Sequence, residues 1–254
     1  RHLKERLRLV REPKKEQSRY NVIIKNDIVK RYLTNLTPQI FARYRDERLD
    51  EGISPSTICR ELSFMSIAIK KAIRFYNCWL PEHPIPNDIK PKESAPRNRR
   101  LEEGEFEKLM EHCKTKRNSY WCSMIEFSIE TAMRLNEQLT LKWEQVDLKN
   151  MMITILAEHT KTGIERKIPL TPRAIEILGS LPRHIKGRVF PVSLNNFQRA
   201  WRSITRNAEI ENLHWHDLRR EACSRLMESG LSISEVQMFT GHKTLSLMLK
   251  TYSQ

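Results

Sequence analysis

Along residues 54–76, "SPSTICRELSFMSIAIKKAIRFY", the apolar positions Ile58, Leu62, Met65, Ile69, Ala72 and Tyr76 recur at alternating steps of four and three. That is the spacing of one face of an α-helix. Ser54 stands where an N-cap belongs and Pro55 takes the first helical position, where its missing N–H costs nothing. The stretch 37–52, "TPQIFARYRDERLDEG", repeats this start and stops at Gly52. A further helix is expected around residues 22–33, and roughly the first 17 residues carry charge without a clear period. Residues 1–80 therefore read as a small helical bundle.

The pattern breaks at 81–100, "PEHPIPNDIKPKESAPRNRR", which holds five of the twelve prolines. Such a segment sustains neither a helix nor an interior strand, so it reads as an extended linker. Its basic end, Arg97, Arg99 and Arg100, is a candidate to track phosphates, as readily as to be merely solvated. Residues 101–254 form a second domain. There "LEEGEFEKLMEHC" and "NSYWCSMIEFSIETAM" read as helices, the second apolar enough to be buried. "MMITILA" (151–157) and "IERKIPL" (164–170) alternate as strands around a turn at Gly163, predicting a hairpin. Pro172 and Gly179 bracket a short helix, and others are expected near 194–208, 216–229, 232–240 and 244–250. The fold class is thus mainly α with a small β-hairpin, in two domains.

One of these helices is unusual. In "HDLRREACSRLMESG" (216–230), Leu218, Ala222 and Leu226 mark the buried face, and Arg219 lies about 60° from its centre. His216 falls about 60° beyond Arg219, whereas Arg220 points to water. An Arg can snorkel at the edge of a core, or it can be held there, with the histidine, to meet one anion.

The helix alone does not decide between them. Lys and Arg number 45 against 31 Asp and Glu, a formal net charge of +14 that suits a polyanionic partner. Residues 1–100 carry 23 basic and 12 acidic side chains (+11), and residues 101–254 carry 22 and 19 (+3). The five cysteines form no CxxC pair, which points to reduced thiols in a reducing compartment. No apolar run reaches the ~18 residues of a membrane span, and no signal peptide is visible. An intracellular protein is expected, and the start at Arg1 suggests a piece of a longer chain.

The glycine-dependent phosphate and nucleophile motifs, GxxxxGK[ST], GxGxxG and GxSxG, are missing. His214, His216 and Asp217 could begin a metal site for a phosphohydrolase, but no spaced acidic cluster completes one, and a structural His214 beside Trp215 is the better reading. Metal-free phosphodiester chemistry needs cations on the non-bridging oxygens, an in-line nucleophile and an acid for the leaving oxygen. The second domain offers Arg134 at the end of a buried helix with Glu137 to orient it. It also offers Lys161 at a hairpin tip, His216 and Arg219, and His242. Tyr252 is the only tyrosine after Tyr120.

In this order, "TAMRLNEQLTLKW", "TKTG", "RKIPL", "HDLRREA", "TGHKTL" and the late "YSQ" resemble the tyrosine recombinase (phage integrase) family, and all six of its active-site positions are matched. The resemblance implies a two-domain DNA clamp: a helical core-binding domain (1–80), the linker (81–100) and a mixed α/β catalytic domain (101–254). It implies a site-specific recombinase, cutting and rejoining duplex DNA to integrate or excise a mobile element. Tyr252 would be the nucleophile, forming a 3′-phosphotyrosine. Arg134, Arg219, His216 and His242 would bind the phosphate, with His216 accepting the proton, and Lys161 would be the general acid. No cofactor, metal or ATP is implied. The implied partners are duplex recombination sites bound by a homotetramer, with accessory DNA-bending proteins, in the bacterial cytoplasm at the nucleoid. Two alternatives stay open, a type IB topoisomerase and a DNA-binding module without catalysis. Departures from the family pattern are Ala132 where glycine is common, one extra residue between His242 and Tyr252, and an end two residues after Tyr252, short of the tail that relatives dock on a neighbouring protomer.

Overall fold

A computed structural model describes residues 2–10, 13–95, 97–115, 120–160, 163–184 and 187–241. The chain divides into two compact units, Arg1–Pro96 and Arg97–Gln254. No helix among the described residues is long and apolar enough to cross a membrane.

The first unit is helical: α1 (His2–Leu7), α2 (Pro13–Ile23), α3 (Pro38–Asp50) and α4 (Pro55–Phe75). On α4 the stripe Ile58, Leu62, Met65 and Ile69 is buried against Phe41 and Tyr44 of α3, as its period requires, while Tyr76 is exposed. The core is closed by a buried carboxylate. Glu61 accepts from the Tyr44 hydroxyl at 2.8 Å and from Arg48 at 3.0 and 3.1 Å, so the buried charge is paired. The helix expected around 22–33 is absent. α2 ends at Ile23, and residues 27–30 and 33–35 form single 3₁₀ turns. Asn26 is the cause: its side chain accepts from the Ile28 N–H at 3.0 Å, which starts a new turn in place of the next helical bond.

Among its described residues, the segment 81–100 holds only a 3₁₀ turn (Asn87–Ile89), in keeping with its prolines, yet it is not a free linker. Ile85 and Ile89 are buried in the first unit's core, and Arg97 to Arg100 belong to the second unit. At this boundary the charge asymmetry shrinks. Residues 1–96 carry 20 basic and 12 acidic side chains (+8), and residues 97–254 carry 25 and 19 (+6).

The second unit contains α5 (Glu105–Lys114), α6 (Tyr120–Thr131), α7 (Leu135–Thr140), β1 (Val146–Asp147), β2 (Met152–Ile155), β3 (Arg166–Pro169), α8 (Pro172–Ser180), α9 (Leu194–Asn207), α10 (Trp215–Glu228) and α11 (Ile233–Thr240). The predicted hairpin is β2–β3, in antiparallel register with Ile153 opposite Ile168; the short β1 extends it to three strands. Its buried isoleucines join α6 and α8 in one core, and α10 packs across α6. At the start of α10, Trp215 meets the Phe197 and Trp201 rings of α9 edge-on, with centroids 4.7 and 5.0 Å apart. Each such pair adds about 0.5–1.5 kcal/mol beyond burial, so α10 is anchored at its first residue. The helix expected at 244–250 lies outside the described residues. None of the five cysteines is joined in a disulfide.

Candidate active site

Of the predicted catalytic and supporting residues, Arg134, Glu137, His216 and Arg219 are described, and all lie in the second unit. Arg134 does not end the buried helix, as expected, but begins the next one. α6 stops at Thr131, the chain turns at Ala132 with φ +51°, and Arg134 stands as the N-cap of α7. Glu137, three residues on, accepts from the Arg134 backbone N–H at 2.9 Å and from its Nη1 at 2.9 Å. This half of a capping box satisfies a helix-end donor and fixes the guanidinium together.

Glu137 is 1% exposed and also takes two bonds from Arg166 of β3, at 3.0 and 2.7 Å. Burial alone pushes the Glu137 carboxyl up. The hydrogen bonds and charge of Arg166, then those of Arg134, outweigh it and hold the carboxyl below the ordinary glutamate value. Glu137 is therefore an anion at neutral pH.

Arg219 is 1% exposed, the largest of the fully buried side chains. Its Nη1 donates to the Ala132 carbonyl and its Nη2 to the Thr240 carbonyl at 2.6 Å. Both contacts fix the orientation of the guanidinium. Ala132 can reach it only because the left-handed turn rotates that carbonyl off the end of α6. This conformation is costly for any residue with a Cβ.

His216, one turn before Arg219, is exposed. Nearby protein nonetheless strips water from its ring, and this loss of solvation, with the Arg219, Arg134 and Arg220 charges against that of Asp217, lowers its pKa. The imidazole is neutral at pH 7 and available as a proton acceptor. Asp217 is spent elsewhere. It is buried, accepts from the His214 backbone N–H at 2.8 Å and pairs with Arg97 at 2.8 Å. Asp217 thus caps α10 and pairs with Arg97.

The basic linker end is similarly engaged. Arg97 holds Asp217, Arg99 holds Glu105, and Arg100 spans Glu221 at 3.0 Å and Glu228 at 2.6 Å. To track phosphates these arginines would first have to leave carboxylates. Lys161, His242 and Tyr252 lie outside the described residues. The chain leading to two of them is defined. Thr160, before Lys161, is buried and donates to the Ala157 carbonyl at 3.0 Å. Gly241, before His242, caps α11 with φ +63°.

Arg166 was missed as a site residue, though a signal existed. In "RKIPL" the strand period puts Arg166 on the same face as Ile168 and Leu170. A guanidinium on a buried face calls for a buried carboxylate. Period alone could not say which one.

Residues 99–254 match the phage integrase family, a span that contains every predicted catalytic residue. The shufflon-specific DNA recombinase of Escherichia coli is 35% identical over 244 residues, covering 92% of this chain and 62% of that protein. The chain spans about three fifths of the length of such curated relatives. Among solved structures, the Tn1549 transposon integrase in complex with a circular intermediate DNA superposes with a TM-score of 0.81 at 16% identity, over 100% of this chain and 94% of that one. A lambda integrase tetramer bound to a Holliday junction gives 0.70 at 20% identity, over 91% and 69%. These two show a shared fold.

Proposed function

Because the chain belongs to the phage integrase family, we propose that it is a site-specific DNA recombinase that breaks and rejoins duplex DNA through a tyrosine. The observation that carries this reading is a pair of fixed arginines, one of which shares its carboxylate partner with a further guanidinium. Arg134 shares Glu137 with a second guanidinium, and Arg219 is oriented by bonds to the Ala132 and Thr240 carbonyls. Such fixed cations are suited to the two non-bridging oxygens of a phosphodiester, whose charge grows in the transition state.

In this reading the Tyr252 oxygen attacks the scissile phosphorus. The bond from tyrosine oxygen to phosphorus forms as the bond to the 5′ oxygen breaks. The tyrosine proton passes to neutral His216, and Lys161 gives a proton to the departing 5′ oxygen, while His242 adds a hydrogen bond to the phosphate. The phosphotyrosine conserves the bond energy, so the reverse attack by a 5′-hydroxyl on another strand needs no nucleotide. The two units act as a clamp on the duplex, with the helical unit in the core-binding role. The working assembly is a tetramer on paired sites of a mobile element, assisted by DNA-bending proteins.

The test is a duplex nicked just 3′ of the scissile phosphate, so that the cut strand leaves as a short piece. The wild-type chain should accumulate a covalent protein–DNA adduct, with or without chelator. Tyr252→Phe, which removes only a hydroxyl, should bind the duplex equally and form none. An adduct from the Phe variant would move the nucleophile elsewhere. Strand exchange between two duplexes, rather than relaxation of one, separates a recombinase from a type IB topoisomerase.

A further inference from the structure

Glu137 has two arginine partners, and they are not equivalent. Arg166 grips it with both terminal nitrogens, Nη1 to Oε1 at 3.0 Å and Nη2 to Oε2 at 2.7 Å, whereas Arg134 offers one side-chain bond, Nη1 to Oε1 at 2.9 Å. The bidentate fork is the stronger and more directional arrangement. Arg166 is also the better buried of the two, its side chain 11% exposed against 24% for Arg134. The carboxylate is therefore neutralised principally by Arg166, a residue of another element.

Arg166 is tied in from a third direction. Its Nε donates to the Phe239 carbonyl at 3.4 Å, in the last turn of α11. Its chain also fills the space above Gly241. A Cβ placed on Gly241 would lie 2.7 Å from Arg166 Cδ, closer than real contacts allow, and a tight 3.0 Å from Nε. Gly241 is thus needed twice, for its left-handed φ and for the Arg166 methylene it admits. One side chain links the start of α7, strand β3 and the turn that leads into His242.

We propose that Arg166 is a positioning residue that balances Glu137, so that Arg134 is oriented by the carboxylate yet keeps its positive charge for the scissile phosphate. The triad Arg134–Glu137–Arg166 carries a net charge of one. Without Arg166, Glu137 and Arg134 would form a neutral pair, and the cation facing the phosphate would be largely cancelled at short range. The role rests on the recombinase reading above, but the charge arrangement can be measured without DNA.

The experiment compares Arg166→Met, Glu137→Gln and the double variant in single-turnover cleavage of the nicked duplex at saturating DNA. Arg166→Met should slow cleavage about 10²-fold, the scale of losing one preorganised electrostatic contact, with no change in DNA affinity. Adding Glu137→Gln removes the surplus anion and should recover about tenfold. A purely structural Arg166 predicts the reverse, a double variant no faster than the single one. That result, or a wild-type rate from Arg166→Met, would overturn the proposal. Arg166→Lys keeps the charge without the fork and should fall between wild type and Met; it serves should the Met variant unfold. Carboxyl-carbon NMR of Glu137 provides the DNA-free arm. Its pKa should rise in Arg166→Met and rise less in Arg166→Lys, and an unmoved pKa in both sinks the charge-balance idea. A wild-type chain that forms no covalent adduct instead sinks the recombinase reading, whatever the NMR shows.

Discussion

The two arginines of the candidate site are held by opposite means. Arg134 is held by a charged side chain that a neighbouring strand has already neutralised, and it stays partly exposed. Arg219 is fully buried and held by main-chain carbonyls at the ends of α6 and α11. The first arrangement is tuned by charge and tolerates movement. The second is tuned by backbone conformation and tolerates little. Mutations should therefore separate the two sides of the site by how much stability they cost, even where they cost the same catalysis.

The largest contrast is expected between Arg219→Ala and Arg134→Ala. Either should cut the rate of covalent adduct formation by about 10²–10³-fold, because each removes a cation from the transition state. Their stabilities should differ. Arg219→Ala leaves a cavity and removes the bonds that Arg219 gives to the buried Ala132 and Thr240, an expected loss of about 2–4 kcal/mol. Arg134→Ala leaves Glu137 still paired with Arg166 and should cost about 1 kcal/mol or less. Urea midpoints measure both, and equal losses would erase the distinction between the two sides.

Next in size is Glu137→Gln, which acts only on the charged side. It leaves two guanidinium groups facing a neutral amide. The expected loss is about 2 kcal/mol at pH 7, less than for a sealed ion pair because Arg134 can turn to water. The sign of its pH dependence is fixed. Glu137 titrates below the ordinary glutamate value in the folded chain. Its contribution is therefore complete above the unfolded value and is lost as pH falls through the folded one. The stability gap between wild type and Glu137→Gln should be flat above about pH 5 and narrow as the pH falls below it. A gap that widens in acid would mean the carboxyl is protonated in the native state.

This asymmetry also explains what the sequence could reveal. Arg219 was legible because burial on a helix is a matter of angle, and Leu218, Ala222 and Leu226 supply the angle. The α4 stripe was legible for the same reason. Arg166 could be placed on a buried face by strand period, but its partner lies 29 residues away, beyond any local pattern. Ile85 and Ile89 were lost among prolines, since two isolated apolar residues define no period, and so a packed segment read as a linker. The helix misplaced at 22–33 failed at one side chain, Asn26, whose bond to its own backbone outweighed the run of apolar residues. Nothing local marked Ala132 as left-handed, because alanine is the residue that most favours the right-handed helix.

Ala132 offers the smallest expected effect and the finest test of the backbone side. Its left-handed φ of +51° costs about 1–2 kcal/mol relative to glycine, so Ala132→Gly removes strain. Two losses oppose that gain. The alanine methyl is fully buried beside Ala222, Cys223 and Val236 and contributes about 0.8 kcal/mol. Glycine also has more freedom to lose on folding, about 0.5–1 kcal/mol. The terms nearly cancel, so the urea midpoint should move by the equivalent of less than about 1 kcal/mol. Adduct formation should be unchanged, since glycine keeps the same turn and the same carbonyl beneath Arg219. Ala132→Val supplies the contrast. A β-branched side chain is a poor fit at positive φ, and here it would also overfill a closed site, so the loss should exceed about 2 kcal/mol. If the turn relaxes, the Ala132 carbonyl swings away from Arg219, and cleavage falls while the Glu137 carboxyl, on the other side of the site, titrates as before. A Val variant that cleaves at the wild-type rate would show that Arg219 does not depend on this turn.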